Sequence, residues 1–385
     1  MQNFDYYNPT HIVFGQDRLA ELNTLVPENT KVMVLFGGGS VKRNGVLDKV
    51  LASLGEREVI QFGGIEPNPQ FTTLMKAAEL ARTEKVDFLL AVGGGSVMDG
   101  TKFVALAAKK DSDQHTLLHH GFAPVPMTDA LPLACVATLP ATGSEMNMGA
   151  VITMNDQKYP VMSPLTFPKF SFLDPDFTLS LPKEQIANGV ADSFIHVVEQ
   201  YLTYPVNAKV QDRISEGILK TLIEEGPKTF NDNDDIEARK NFMWSATNAL
   251  NGLTGAGVPQ DWSTHMIGHE MTAMYGIAHG RTLAIILPSL LRERTVQKRA
   301  KLLQFAERVW DINEGSDDQK IALAIDKTEA FFNSLEIVTK LSHYNIDEAG
   351  IDTLVNNMEK MGLTALSETG DLTLDIVRKI LLAAL

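Results

Sequence analysis

The tetrapeptide Gly-Gly-Gly-Ser occurs twice, at residues 37–40 and 93–96, and each copy joins an apolar run to a helical pattern. The first follows "KVMVLF" and opens "VKRNGVLDKVLASL"; the second follows "VDFLLAV" and opens "VMDGTKFVALAAKK". Short β-branched or apolar runs of this kind read as strands. Strands alternating with helices then predict a parallel sheet wrapped in helices. The runs "PLACVATLP" and "SFLDP" continue that alternation. From about Leu181 the pattern changes to long amphipathic stretches such as "DRISEGILKTLIEEG", "IEARKNFMWSATNALNGL" and "KRAKLLQFAERVWDI". Two domains are expected, α/β over residues 1–180 and all-helical over 181–385, with the seam near "LDPDFTLSLPKEQ".

The glycine loops also carry chemistry. The N–H groups at a helix start lack intrahelical partners and the helix dipole is positive there, so the position favours phosphate. Glycine lets the backbone approach a pyrophosphate with no Cβ in the way. Neither loop completes G-x-G-x-x-G, because Lys42 and Met98 stand at the final glycine position. Read as tight turns alone they would bind nothing, but two identical loops in one sheet point to a Rossmann-like, dinucleotide-binding domain. The first loop offers Ser40, Lys42 and Arg43 and no acid. An acid usually holds the ribose 2′-hydroxyl of NAD, so its absence leans toward NADP(H).

A second stretch, "ADSFIHVVEQ" at 191–200, is apolar nearly all round if helical, which marks a buried helix. Asp192, His196 and Glu199 nevertheless fall at i, i+4 and i+7 and stack in one stripe. A buried carboxylate and imidazole need partners. "HMIGHEMTAMYGIAHG" supplies them: His265 and His269 are spaced i, i+4, and His279 follows fourteen positions after His265. On one unbroken helix that separation would span about 21 Å, too far for a single ion. Gly276 offers the break that lets His279 return. Asp192, His196, His265 and His279 form a borderline ligand set suited to Fe²⁺ or Zn²⁺, and without thiolates a structural zinc site is not expected. Position 273 is alanine, so H-E-x-x-H is absent. The cluster of His115, His119 and His120 in "DQHTLLHH" reads as a surface loop.

With 34 basic and 48 acidic residues the chain carries −14, which argues against a nucleic-acid partner. The one cysteine, Cys135, lies in an apolar run and reads as a structural thiol in a reducing, cytoplasmic setting. No basic-then-apolar leader opens the sequence, so no signal peptide is expected, and no run reaches the roughly 20 apolar residues of a membrane helix.

The motifs "PTHIVFG", "EPNP", "AVGGGSVMDGTK", "TLPATGSE", "FLDP", "DSFIHVVEQY", "THMIGHE" and "AHG" together resemble the iron-containing (group III) alcohol dehydrogenase family across essentially the whole chain. The nearest branch is the NADPH-dependent butanol dehydrogenases and broad-range aldehyde reductases, whose first loop also reads "GGGS". The resemblance implies a nucleotide domain, a helical metal- and substrate-binding domain, a cleft between them and a homodimer. It carries metal ligation onto Asp192, His196, His265 and His279. Cofactor contacts fall on Gly38 and Ser40 for the 2′-phosphate, and on Gly94, Gly95, Ser96 and Asp99 around the pyrophosphate. Thr138, Thr142, Asn147 and Lys158 approach the ribose and nicotinamide, with Asn68 a further contact. His269, one turn from a ligand, is the candidate proton relay. Trp262 stands where many members have glycine. The implied reaction is hydride transfer between NADPH and the metal-polarised carbonyl of a short-chain aldehyde. A glycerol-dehydrogenase-like zinc enzyme using NAD is the alternative.

Overall fold

The computed structural model describes residues 1–385, which form two compact units, Tyr7–Leu181 and Pro182–Leu385, the latter together with Met1–Tyr6. The first unit is built on β1 (His11–Phe14), β2 (Val32–Phe36), β3 (Val59–Phe62), β4 (Phe88–Gly93), β5 (Leu133–Ala137) and β8 (Phe170–Leu173). These pair in parallel in the order β1-β8-β5-β4-β2-β3. The remaining strands of the unit, β6 (Gly149–Met154) and β7 (Gln157–Met162), form a separate antiparallel hairpin.

Strand alternation explains the uniformly apolar runs. Val32, Val34 and Phe36 face one core together with Phe88, Leu90 and Val92, whereas Met33, Leu35, Leu89 and Ala91 face the other. Both faces of the sheet are thus covered, as its parallel pairing requires. Cys135 lies within β5, and burial pushes its thiol up to about 12, which leaves it protonated and chemically inert.

Chain order reverses beside β2. From β2 the chain steps outward to β3 at the edge, then crosses back so that β4 lies on β2's other side. The carboxyl ends of β2 and β4 therefore flank a topological switch point, where open α/β sheets bind ligands. Both glycine loops leave the sheet there. The helical pattern after the first loop is broken in two, Ser40–Arg43 and Val46–Ser53. Gly45 takes the left-handed conformation (φ 77°), and the Asn44 side-chain oxygen accepts the Val46 N–H at 3.2 Å.

In the second unit the helix Lys183–Tyr201 is buried continuously from Gly189 to Tyr201. Phe194 on this helix meets Phe331 and Phe332 at ring separations of 5.2 and 5.7 Å. One element departs from the all-helical expectation: Ala365–Leu366 pairs antiparallel with Leu372–Thr373. The first six residues also pack here, with Gln2 N–H donating to Gly257 O at 2.9 Å. His115 and His119 of "DQHTLLHH" are exposed on a 3-10 turn, Gln114–His119, with His120 just after it, so the stretch is at the surface as expected but is anchored by buried Leu117 and Leu118. No helix is long and apolar enough to cross a membrane.

Candidate active site

The crevice of the first unit is lined by three neighbouring loops, after β2, β4 and β5. Gly38 and Ser40 are exposed at the end of β2, and a Cβ added to Gly38 would meet nothing within 4 Å. Gly94 and Gly95 open the helix Gly95–Ala107, whose first turn is laid directly against the loop after β5. A Cβ on Gly95 would lie 2.5 Å from the Thr142 methyl, so only glycine lets the two loops close on one another. Ser96 Oγ accepts the Asn68 N–H at 3.3 Å, with Asn68 in left-handed backbone. Thr138 N–H donates to Gly93 O at 3.0 Å.

Below this surface lies a polar layer that holds the segment 142–151 in place. Asp99 accepts the Ser144 hydroxyl at 2.6 Å and the Val151 N–H at 2.9 Å, so both of its oxygens point into the protein. Burial raises its carboxyl above the usual range, against the opposing charges of Lys102 and Lys158. Lys102, fully buried one turn on, donates to Asn147 Oδ1 at 2.9 Å and Gly149 O at 2.8 Å. Burial lowers its ammonium to about 8, with Asp99 acting in the other direction. Asn147 also accepts the Gly149 N–H at 3.1 Å. Lys158 lies opposite Thr153 across the β6–β7 hairpin. Lys102 escaped the sequence reading, although "DGTK" places it three residues after Asp99.

The polar cluster of the second unit comes from three helices, Lys183–Tyr201, Ser263–Tyr275 and His279–Glu293. The middle helix stops at Gly276, which is left-handed (φ 67°), and the chain re-enters helix at His279. That turn carries His279 back to the first helix. A single oxygen is the focus: Asp192 Oδ1 lies 3.5 Å from His196 Nε2, 3.7 Å from His265 Nε2 and 3.8 Å from His279 Nε2. The ligand atoms of Asp192, His265 and His279 all fall within 4.8 Å of one another. His196 joins this triad from the side, stacked on His265 at 4.7 Å. His269 lies beyond it, with its ring 4.8 Å from that of His279 and 6.2 Å from that of His265.

This donor set fits a divalent cation. Bonds of about 2.0–2.1 Å in tetrahedral array put ligand atoms about 3.4 Å apart, close to the spacing found. The buried Nε2 of His265 has no hydrogen-bond partner in the protein, as a ligand nitrogen should not. Burial lowers the His196 imidazolium to about 4, so its ring is neutral and able to donate a lone pair. Burial also acts to lower His265, but the Glu199 and Asp192 carboxylates outweigh it and raise that group to about 9.

Glu199, one turn beyond His196, holds the site together. One oxygen contacts His265 Nδ1, and the other accepts the Thr264 N–H at 2.6 Å at the start of the middle helix. The carboxylate therefore fixes both the tautomer and the aim of His265 while capping its helix. Behind it, buried Lys298 donates to Leu202 O at 2.6 Å and pairs with Asp261 at 2.7 Å and Glu368 at 3.1 Å. Asp261 in turn accepts the Ser263 N–H at 3.1 Å. The end of the first helix and the start of the second are thereby tied to one ammonium. We expect Glu199→Gln to weaken metal binding about 10–100-fold in a competition titration. The glutamine oxygen can still accept the Thr264 N–H, so an unchanged affinity would reduce Glu199 to a helix cap.

Gly280 is a residue whose importance lay hidden in "AHG". A Cβ there would lie 2.2 Å from the backbone oxygen of Asn188. Only glycine lets the helix of His279 come this close to the helix of Asp192.

An α/β unit with glycine loops at its switch point, followed by a helical unit with a carboxylate–imidazole focus, defines the class: a dinucleotide- and metal-binding protein of two domains. Residues 9–175 match the description "Iron-containing alcohol dehydrogenase", and residues 186–385 match "Fe-containing alcohol dehydrogenase family, C-terminal". The chain belongs to the iron-containing alcohol dehydrogenase family. It is 53% identical to the NADPH-dependent aldehyde reductase YqhD of Escherichia coli, with 100% of both chains covered. It is 42% identical to a probable NADH-dependent butanol dehydrogenase of Bacillus subtilis, over 92% of this chain and 93% of the relative. Among solved structures, the substrate- and cofactor-free form of E. coli YqhD matches with TM-score 0.94 at 51% identity, covering 100% of each chain. The NADH-dependent butanol dehydrogenase A of Thermotoga maritima also matches with TM-score 0.94, at 35% identity over 100% of this chain and 99% of that one. The glycerol-dehydrogenase-like alternative is set aside by these relationships.

Proposed function

We propose that the protein is a metal-dependent NADPH aldehyde reductase, equally an alcohol dehydrogenase in the reverse direction, acting on short-chain aldehydes. The observation that carries this reading is the convergence of three imidazoles on Asp192 Oδ1. The 53% identity to an NADPH-dependent aldehyde reductase supports the choice of reaction and cofactor.

Asp192, His196, His265 and His279 are assigned as ligands of one Fe²⁺ or Zn²⁺ ion. When bound, that ion supplies Lewis-acid polarisation of the substrate carbonyl, a contribution of several kcal/mol to the barrier. NADPH supplies the hydride. The α/β domain, residues 1–180 in the sequence reading, is assigned the dinucleotide, and 181–385 the metal and substrate. Gly38 and Ser40 receive the 2′-phosphate, where the loop holds no competing acid. Gly94, Gly95 and Ser96 present backbone and hydroxyl to the pyrophosphate, with Asn68 bracing Ser96. Thr138, Thr142 and Lys158 face the ribose and nicotinamide. Asp99 and Asn147 act by fixing the 142–151 segment: Asp99 accepts from Ser144 and Val151, and the Asn147 side chain bonds Thr142 O and the Gly149 N–H. The His269 imidazole, beside the His279 ring, is assigned the transfer of a proton between solvent and the nascent alcohol. A homodimer, implied by the family resemblance, and a cytoplasmic address, expected from the single cysteine in an apolar run, belong to the same reading.

The test is NADPH oxidation with butanal before and after chelation of the metal, with NADH in parallel. Turnover lost on chelation, restored by Fe²⁺ or Zn²⁺ and stronger with NADPH is the expected result. Undiminished turnover by metal-free protein would overturn the reading.

A further inference from the structure

Among non-glycine residues with positive φ, Trp262 alone is aromatic; the others are polar. It sits at φ 63°, ψ 8°, in left-handed backbone, immediately before the helix that carries His265. A bulky side chain in that region is strained, and such strain persists only where surrounding contacts over-determine it. Those contacts are present. The indole N–H donates to Gln260 Oε1 at 2.9 Å, and Gln260 Nε2 donates to Gly255 O at 3.3 Å. The Gln260 amide packs closely over Gly255, where a Cβ would lie 2.4 Å from its Nε2. Braced in this way, the half-buried indole stands 5.2 Å from the His265 ring and 6.2 Å from the His196 ring, nearly perpendicular to the first.

We propose that Trp262 is a specificity-determining residue of the reductase site, forming a rigid apolar wall beside the cation that selects aldehydes with unsubstituted aliphatic tails over hydroxylated ones. The proposal rests on the reductase reading above. Its one polar atom is already bonded to Gln260, so the indole presents only ring carbon to a substrate. A methylene tail packs on that surface. A hydroxyl held against it loses water and gains no partner, which penalises polyol-like substrates.

The experiment compares kcat/KM for butanal and for glyceraldehyde in the parent, Trp262→Gly and Trp262→Phe, with bound metal measured in each. Glycine suits left-handed backbone and opens the wall to water, so the butanal-to-glyceraldehyde ratio should fall by about tenfold or more. Phenylalanine keeps a flat apolar ring and should keep most of the discrimination. Trp262→Asn, also at ease in this backbone, serves where glycine loosens the helix start. A readout without turnover is Co²⁺ added to metal-free protein. One equivalent should quench tryptophan emission in the parent, and that quench should vanish in Trp262→Phe, which retains Trp244 and Trp310. A quench that persists in Trp262→Phe, or a substrate ratio unchanged in fully metallated Trp262→Gly, would overturn the proposal alone. Absence of any turnover by the parent would remove the reductase reading and this proposal with it.

Discussion

Alanine at Asp192 is expected to lower kcat/KM for butanal by at least about 10³-fold. Asp192 Oδ1 is the atom on which the three imidazoles converge, so its loss leaves the nitrogens with no common focus. A Lewis-acid contribution of about 4 kcal/mol corresponds to that factor. Bound metal should fall in step, and the rise in Tm that the cation gives the parent should disappear. Stability of the metal-free form should fall as well, because Asp192 then faces the buried His265 ring that its charge helps to keep protonated, and alanine leaves that charge with one carboxylate fewer. A variant that kept both its metal and its turnover would show that the carboxylate is not a ligand. Melting curves with and without added Fe²⁺ or Zn²⁺, beside the assay, read both effects.

The second large effect is expected at a residue with no side chain and no place among the assigned ligands. Gly280→Ala introduces a methyl whose nearest neighbour is backbone, the Asn188 oxygen at 2.2 Å, with Asn188 C and Cα at 2.9 Å. A flexible side chain could yield; a helix carbonyl cannot. The helices of Asp192 and His279 must therefore separate by the better part of an ångström. Overpacking of this kind costs about 1–3 kcal/mol of stability. A comparable misplacement at a reacting centre costs about 10²-fold in rate. We expect a lower Tm, weaker metal binding and a kcat loss of that order, although no ligand has been altered. An alanine variant with parental Tm and metal affinity would mean that the two helices have slack the geometry does not reveal.

These two positions also mark how far the sequence could be read. Asp192 and His196 share a helical stripe because i, i+4 spacing is a local property of any α-helix, and their side chains do meet at 3.5 Å. The return of His279 was legible too, since Gly276 announces a helix end and the structure turns there. The parallel sheet followed from apolar runs alternating with helical patterns, a sequential order that is legible without tertiary contacts. Gly280 was illegible for the opposite reason. Nothing within its own helix calls for glycine, and the requirement comes from Asn188, 92 positions earlier in the chain. Asp99 teaches the same lesson: its place in "GGGSVMD" is local, but the direction of its oxygens is set by Ser144 and Val151. The break at Gly45, the buried leucines among the three histidines at 115–120 and the small β-pair near the C-terminus were likewise settled by tertiary contacts rather than by period. Glu199 lies between these cases. Its position on the stripe was visible, whereas its partners, His265 and Thr264, are on another helix.

The most direct measurement is anomalous diffraction from crystals of metal-loaded protein, collected at the absorption edges of iron and zinc. One strong peak per chain is expected, about 2.0–2.2 Å from the Asp192 carboxylate and from imidazole nitrogens of His196, His265 and His279. A peak confined to another cluster, such as His115 with His119 and His120, would contradict it. So would fully active protein whose Asp192 cluster shows no anomalous density at either edge.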